Sequence, residues 1–302
     1  MRPNLPAFIL ATILAPVVVR GQFPERPEYS VETKLVLVPV TVTDHKGAFI
    51  NGLSRDAFTI SEDGVRQSIR SFSEEESPVS VGVVLDTSGS MKEFLPVARE
   101  SLRQFAAFSN PADEAFLATV STRARVWSGF SDDVAGTFTD AAFEPANGST
   151  ALLDAIWASL DQLRSAKNPR KALVVLSDGM DNHSRHARSE LLERASESDA
   201  QIYTILMNDP PRYSKGAELV EIQRGMQLMG ELASRTGGVS FTVRSRDDIE
   251  EAVAGVSKAL RNEYSIGYVS VNPDRNGKWR RIQVRVDRAG LKAHSRSGYR
   301  LD

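Results

Sequence analysis

Ser80-Val81-Gly82-Val83-Val84-Leu85-Asp86-Thr87-Ser88-Gly89-Ser90 is the stretch whose reading decides the fold. Ser80 to Leu85 is a continuous apolar strand of the kind buried on both faces of a parallel sheet. Asp86, Ser88 and Ser90 then place a carboxylate and two hydroxyls at alternate positions, where that strand ends and a helix is about to begin. Oxygen-only ligands suit a hard cation such as Mg²⁺, which keeps open positions for water or for a partner's oxygen. Taken alone, the same residues also serve as an ordinary turn or helix cap.

Downstream, the pattern is strand–helix alternation. Phe94, Val97, Ala98, Leu102, Phe105 and Phe108 recur at helical spacing, and Asn110-Pro111 closes the segment. Phe116 to Val120 and Ala124 to Trp127 read as short strands. Leu152, Ile156, Leu160 and Leu163 mark a second amphipathic helix, ending near Asn168-Pro169. Leu173 to Leu176 is a core strand, followed by a helix through Leu191-Leu192 and the strand Ile202 to Leu206. Asp209-Pro210-Pro211 opens a polar loop. A helix around Met226 to Ala233, the strand Val239 to Val243 and a helix over Asp247 to Leu260 complete the series. Such units favour an α/β fold with a doubly wound, mostly parallel sheet.

The flanks belong to another class. Leu35 to Thr43 is dense in β-branched residues, and Pro39 marks it as an edge strand or one with a bulge. Phe58-Thr59-Ile60 and Ile69 to Phe72 bracket the hairpin signal Glu62-Asp63-Gly64. The tail reads as strands at Tyr264 to Val271, Trp279 to Val286 and Leu291 to Ser295. Neither flank has enough strands for a stable sandwich alone, and together they supply about six or seven. The expected organisation is a small β-sandwich-like domain built from residues 30–75 and 263–302, with an α/β domain, residues 79–262, inserted between them.

At 302 residues the chain has length for about two domains. A net charge of −2 gives no electrostatic case for nucleic acid or an anionic membrane. Arg2, the apolar stretch Ala7 to Val19 and the small residues before Gln22 fit a secretory signal peptide over residues 1–21. The stretch is too short for a bilayer span, which needs about 20 residues, so no transmembrane span is expected after its removal. The expected location is the periplasm or exterior of a bacterium. With no cysteine, disulfides, thiolate ligands and cysteine nucleophiles are excluded.

In an open α/β sheet, ligands bind beyond the carboxyl ends of the strands. Asp86 lies at one such end and Asp178, in Ser177-Asp178-Gly179, at another; Thr150 lies in a loop just before a helix. Asp86, Ser88, Ser90, Thr150 and Asp178 can converge on one octahedral cation. This arrangement resembles the von Willebrand factor type A (VWA) domain and its metal-ion-dependent adhesion site (MIDAS): D-x-S-x-S after the first strand, a threonine in a mid-domain loop and an aspartate after the fourth strand. Every position of that pattern is filled here. The flanking Leu53-Ser54-Arg55-Asp56-Ala57-Phe58, Glu62-Asp63-Gly64-Val65-Arg66-Gln67, Tyr264-Ser265-Ile266-Gly267-Tyr268 and Arg296-Ser297-Gly298-Tyr299 resemble bacterial exported VWFA-related domain proteins.

The resemblance implies a Mg²⁺ site, with Mn²⁺ or Ca²⁺ as alternatives, that a partner protein's Asp or Glu completes, and a last helix that shifts as the site changes state. Asp154, Asp181 and Asn182 are candidates for a second shell or rim. His183 and His186 lack a third ligand for zinc, and Asn182 to His186 reads as a solvated loop. Trp127 and Trp157 read as packing residues. No G-x-S-x-G elbow or phosphate loop is present. A strand-end aspartate phosphatase needs a second carboxylate where Ser88 stands. The expectation is therefore an exported, non-enzymatic, metal-dependent adhesion-type protein. The alternatives are an envelope component whose metal only braces the fold and, behind it, a metal-dependent hydrolase.

Overall fold

Four strands precede the quoted stretch: β1 (Leu35–Thr43), β2 (Phe58–Glu62), β3 (Val65–Gln67) and β4 (Ile69–Glu74). The stretch itself forms β5 (Val79–Asp86). Then follow α1 (Leu95–Ala107), β6 (Glu114–Val120), β7 (Ala124–Val126), α2 (Val134–Thr139), α3 (Leu152–Gln162), β8 (Arg170–Ser177) and α4 (Arg188–Glu197). The α/β part closes with β9 (Gln201–Met207), α5 (Ala217–Thr236), β10 (Ser240–Val243) and α6 (Arg246–Arg261); β11 (Tyr264–Val269), β12 (Trp279–Val286), β13 (Lys292–Ser295) and β14 (Gly298–Arg300) form the tail. This computed structural model describes residues 35–74, 77–139, 145–207, 216–261, 263–274 and 277–300. The expected signal peptide, residues 30–34 of the head and the Asp209-Pro210-Pro211 loop lie outside the described residues. No helix among the described residues is long and apolar enough to cross a membrane.

The central sheet has the order β10-β9-β8-β5-β6-β7, parallel throughout except for β7. The chain leaves β5 toward β6 and leaves β8 toward β9, in opposite directions. The topological switch point, where such sheets open a crevice, therefore falls between the carboxyl ends of β5 and β8. β5 is buried along its whole length because both faces are covered. Val81, Val83 and Leu85 pack with Leu102 of α1 and Val253 and Val256 of α6, whereas Val84 packs with Ile156 of α3 and Met229 of α5. Gly82 provides the space for Phe116: a β-carbon there would lie 2.4 Å from the phenyl ring.

The flanks form two four-stranded antiparallel sheets, β13-β1-β11-β4 and β14-β12-β2-β3. Val36, Val38, Val40 and Val42, the inward-facing alternate positions of β1, share a core with Ile60, Tyr268, Ile282 and Val284. The head and tail thus build one β-sandwich-like part around a core of their own. The edge-strand expectation for β1 is corrected, because β1 lies between β11 and β13. Pro39 is nevertheless tolerated for the expected reason. β13 pairs only with Val40 to Thr43, so β1 is a local edge at Pro39. The register irregularity of this sheet falls in β11, between Gly267 and Tyr268.

The hairpin expectation is also refined. Asp63 and Gly64 have φ of 49° and 83°, as a two-residue type I′ turn requires, but they join β2 to β3. β4 crosses to the other sheet and pairs with β11. α2 and β14 escaped the sequence reading, being only 6 and 3 residues long, too short for a periodicity to register.

The sandwich is tied to the α/β part at the amino ends of its strands. Arg170 at the start of β8 pairs at 2.6 Å with buried Glu263, between α6 and β11. Within the α/β part, Arg261 at the end of α6 pairs with Asp113, which also accepts the Val79 amide at 2.9 Å.

Candidate metal centre

Asp86 ends β5 and is fully buried. One carboxylate oxygen accepts the Ser88 amide at 2.9 Å; the other accepts the Ser177 hydroxyl at 2.5 Å. Ser88 is buried, Ser90 is exposed, and their hydroxyls lie 3.1 Å apart. Burial, followed by the neighbouring charge of Asp178, pushes the Asp86 carboxyl up to about 6, against the hydrogen bonds from Ser177 and Ser88. Asp178 is half-buried and accepts the Met180 amide at 2.9 Å.

Three loops are fastened together around these side chains. The Asn147 amide donates to the Thr87 carbonyl at 2.9 Å, and the Gly89 amide donates to the Gly148 carbonyl at 3.3 Å. The carbonyl of buried Thr150 accepts the amides of Asn182 and His183, both at 3.0 Å, and its own amide donates to Asn182 Oδ1 at 2.9 Å. The mid-domain threonine loop is thereby joined to both carboxylate-bearing strand ends.

The candidates for a second shell or rim fasten the loops to one another. Asp181 accepts the Ser184 hydroxyl at 2.5 Å and the Leu153 amide at 3.3 Å, capping α3 from another loop in the absence of a side-chain cap at Ala151. Asp154 accepts the amides of Arg185 and His186 and lies 2.7 Å from the His186 ring nitrogen Nδ1. Burial would raise its carboxyl, but those hydrogen bonds outweigh it and hold the group below its ordinary value. His186 departs from the solvated-loop expectation, with its ring stacked on Trp157 at 4.2 Å.

Ser177 and Thr87 were not singled out from sequence. Ser177 was legible in principle, as the hydroxyl beside Asp178 on a core strand. Thr87 donates to the Val120 carbonyl at 3.0 Å and fixes the turn against β6.

The donor set suits a hard dication. Two carboxylates and several hydroxyls gather at the switch point, and the hydrogen bonds of Asp86 come from neutral groups, leaving negative charge in a poorly solvated place. Among the described residues no group of three or more His, Cys, Asp or Glu side chains could hold a metal. Any site here must therefore draw on hydroxyls and water as well as Asp86 and Asp178.

Residues 81–180 match the family model of the von Willebrand factor type A domain. The VWA match covers this region, about a third of the chain. Asp86, Ser88, Ser90, Thr150 and Asp178 all fall inside the matched span. Among solved structures, the chain is similar to a von Willebrand factor type A protein from Catenulispora acidiphila, at 13% identity over 89% of this chain and 74% of that one, with a TM-score of 0.49. It is also similar to the vWF domain of the type V pili tip protein Mfa5 from Porphyromonas gingivalis, at 11% identity over 61% and 95%, TM-score 0.49. A third likeness is to an aerotolerance-related membrane protein from Bacteroides fragilis, at 16% identity over 60% and 98%, TM-score 0.47. No curated protein matches the sequence.

The Asp178 loop is held from behind by α5. Gly179 has φ of 79°, and a β-carbon on Gly225 would lie 2.4 Å from its carbonyl oxygen. The contact is backbone against backbone, so it cannot relax by rotating a side chain. Gly225→Ala is expected to displace the loop and cost about 1–3 kcal/mol of stability. Gly230→Ala, on the same helix with nothing within 4 Å of the new methyl, should be neutral or stabilising by up to about 1 kcal/mol. Urea unfolding of the two variants checks this.

Proposed function

We propose that this chain is an exported, divalent-metal-dependent protein-binding protein of adhesion type. The observation that carries the reading is the pairing of buried Asp86 with Asp178 at the switch point, with Ser88, Ser90 and Thr150 on the loops between them. In this reading those residues hold Mg²⁺ directly or through water, and Mn²⁺ or Ca²⁺ could replace it. Two carboxylates against a dication leave the ion electrophilic, so a partner's Asp or Glu completes its shell with a strong electrostatic contact. The protein's own part is to orient the ligands. Ser177 fixes the Asp86 carboxylate, and the Thr150–Asn182 bonds fix the loop spacing.

Export is supported by the signal-like residues 1–21 and a non-enzymatic role by the missing nucleophile motifs. The test is capture of partners from an envelope extract with Mg²⁺, with chelator, and with Asp86→Ala. Capture that needs Mg²⁺ and Asp86 is the expected result. Capture unchanged by chelator, with a melting temperature that falls, would instead favour a metal that only braces the fold.

A further inference from the structure

We propose that the rim of the metal centre selects a partner whose coordinating carboxylate lies within an acidic segment; this rests on the metal–carboxylate reading above. Three cations stand on three of the loops around the site. Lys92 follows Ser90 by two residues, in the 3₁₀ turn Gly89–Glu93. Arg123 lies in the β6–β7 turn, just beyond Val120, which is the sheet neighbour of Asp86. That turn is bonded to the threonine loop: the Ala151 amide donates to the Ser121 carbonyl at 2.8 Å, and the Ser149 amide donates to Thr122 Oγ1 at 3.3 Å. Arg185 lies in the loop after β8, its amide held by Asp154 at 3.0 Å.

All three side chains are exposed, and none has an ion-pair partner among the described residues. Many other arginines and lysines of the chain are paired, among them Arg188 with Glu231 and Lys171 with Asp199. On the same loops the anions are mostly engaged, Asp154 with His186 and Asp181 with Ser184, leaving Glu93 as the exposed counter-charge. The metal makes this rim effective. Without a cation the charges of Asp86 and Asp178 offset much of the rim's field. A bound dication neutralises them and leaves a positive face on a chain whose net charge is −2. A carboxylate flanked by further acidic residues then gains attraction on approach and contacts on docking, whereas a carboxylate among lysines is repelled.

The test uses two synthetic peptides with the same central Asp, one flanked by Glu and one by Gln, immobilised on a biosensor. In Mg²⁺ at low salt the wild type should bind the Glu-flanked peptide about tenfold more tightly. That preference should shrink as salt rises and vanish in K92E/R123E/R185E, whose magnesium-dependent melting shift reports that it is folded and loaded. K46E/R66E/R285E, altered on the sandwich, should keep the preference. Equal binding of the two peptides, a preference that survives the rim reversal, or no capture of the Glu-flanked peptide overturns the rim. Magnesium-dependent binding without preference overturns the rim while leaving the metal–carboxylate reading standing. A preference that persists under chelator and is lost on rim reversal overturns the proposal together with the metal reading, because the rim then attracts acidic peptides without a coordinated carboxylate.

Discussion

Asp86→Asn is expected to stabilise the magnesium-free protein at pH 7 and to abolish its stabilisation by magnesium. The two opposite effects share one cause. In the folded chain the Asp86 carboxyl is raised to about 6 by burial and by Asp178. A carboxyl raised above its unfolded value of 3.8 binds its proton more tightly when folded, so ionised Asp86 opposes folding at pH 7. Removing the charge should return about 1–3 kcal/mol. Saturating Mg²⁺ acts in the opposite direction, on the wild type alone. At a hundred times the dissociation constant, a ligand that binds only the folded state contributes about 2.7 kcal/mol, a shift of roughly 5–10 °C in melting temperature for a chain of this size. Asp86→Asn should show none of that shift. Scanning calorimetry of both proteins with Mg²⁺ and with chelator gives all four values. A variant less stable than wild type under chelator, or one that still responds to Mg²⁺, would count against a metal at this position.

The second large effect is expected far from the site. Glu62 is 2% exposed and accepts hydrogen bonds from Tyr268 at 2.7 Å, Tyr299 at 2.8 Å, Ser270 at 2.5 Å and Arg280 at 3.1 Å. Arg280 is itself 3% exposed. Glu62→Ala leaves that guanidinium buried without its counter-charge and the Tyr268 and Tyr299 hydroxyls without their acceptor. Breaking such a pair costs about 3–5 kcal/mol, which urea unfolding would read directly. Burial alone would raise the Glu62 carboxyl, but the Ser270, Tyr268 and Tyr299 hydroxyls and the Arg280 charge outweigh it and hold the group below its ordinary 4.5. The stabilisation is therefore complete above about pH 4.5 and is lost as pH falls through the folded value. Glu62→Gln should be less stable than wild type at neutral pH, with a gap that closes in acid. A gap constant from pH 7 to pH 3 would show that the ionised carboxylate is not what holds the sheets together.

Much of the α/β part was legible because each element carries its own period. The Ser80 to Leu85 run could only be a strand covered on both faces, and the spacing from Phe94 to Phe105 could only be a helix with one buried stripe. The candidate ligands were legible because strand ends are short, polar and fixed in chain order. Pro39 misled in part, since a proline reports a missing ladder bond at one residue and not the position of the whole strand.

What the sequence determined by itself was the class of each segment, the carboxyl edge on which Asp86 and Asp178 stand, and the oxygen-only chemistry offered there. The tertiary structure alone decided which distant residues meet. Ser177 reaches the Asp86 carboxylate because β8 pairs with β5. Asp181 caps a helix from another loop, Gly225 bears on Gly179, and Glu62 is enclosed by tyrosines more than 200 positions away in the chain. Local patterns encode periodicity and burial, which act over a few residues. Contacts across a closed sheet or sandwich depend on strand order and register, which are set only when all the layers pack at once.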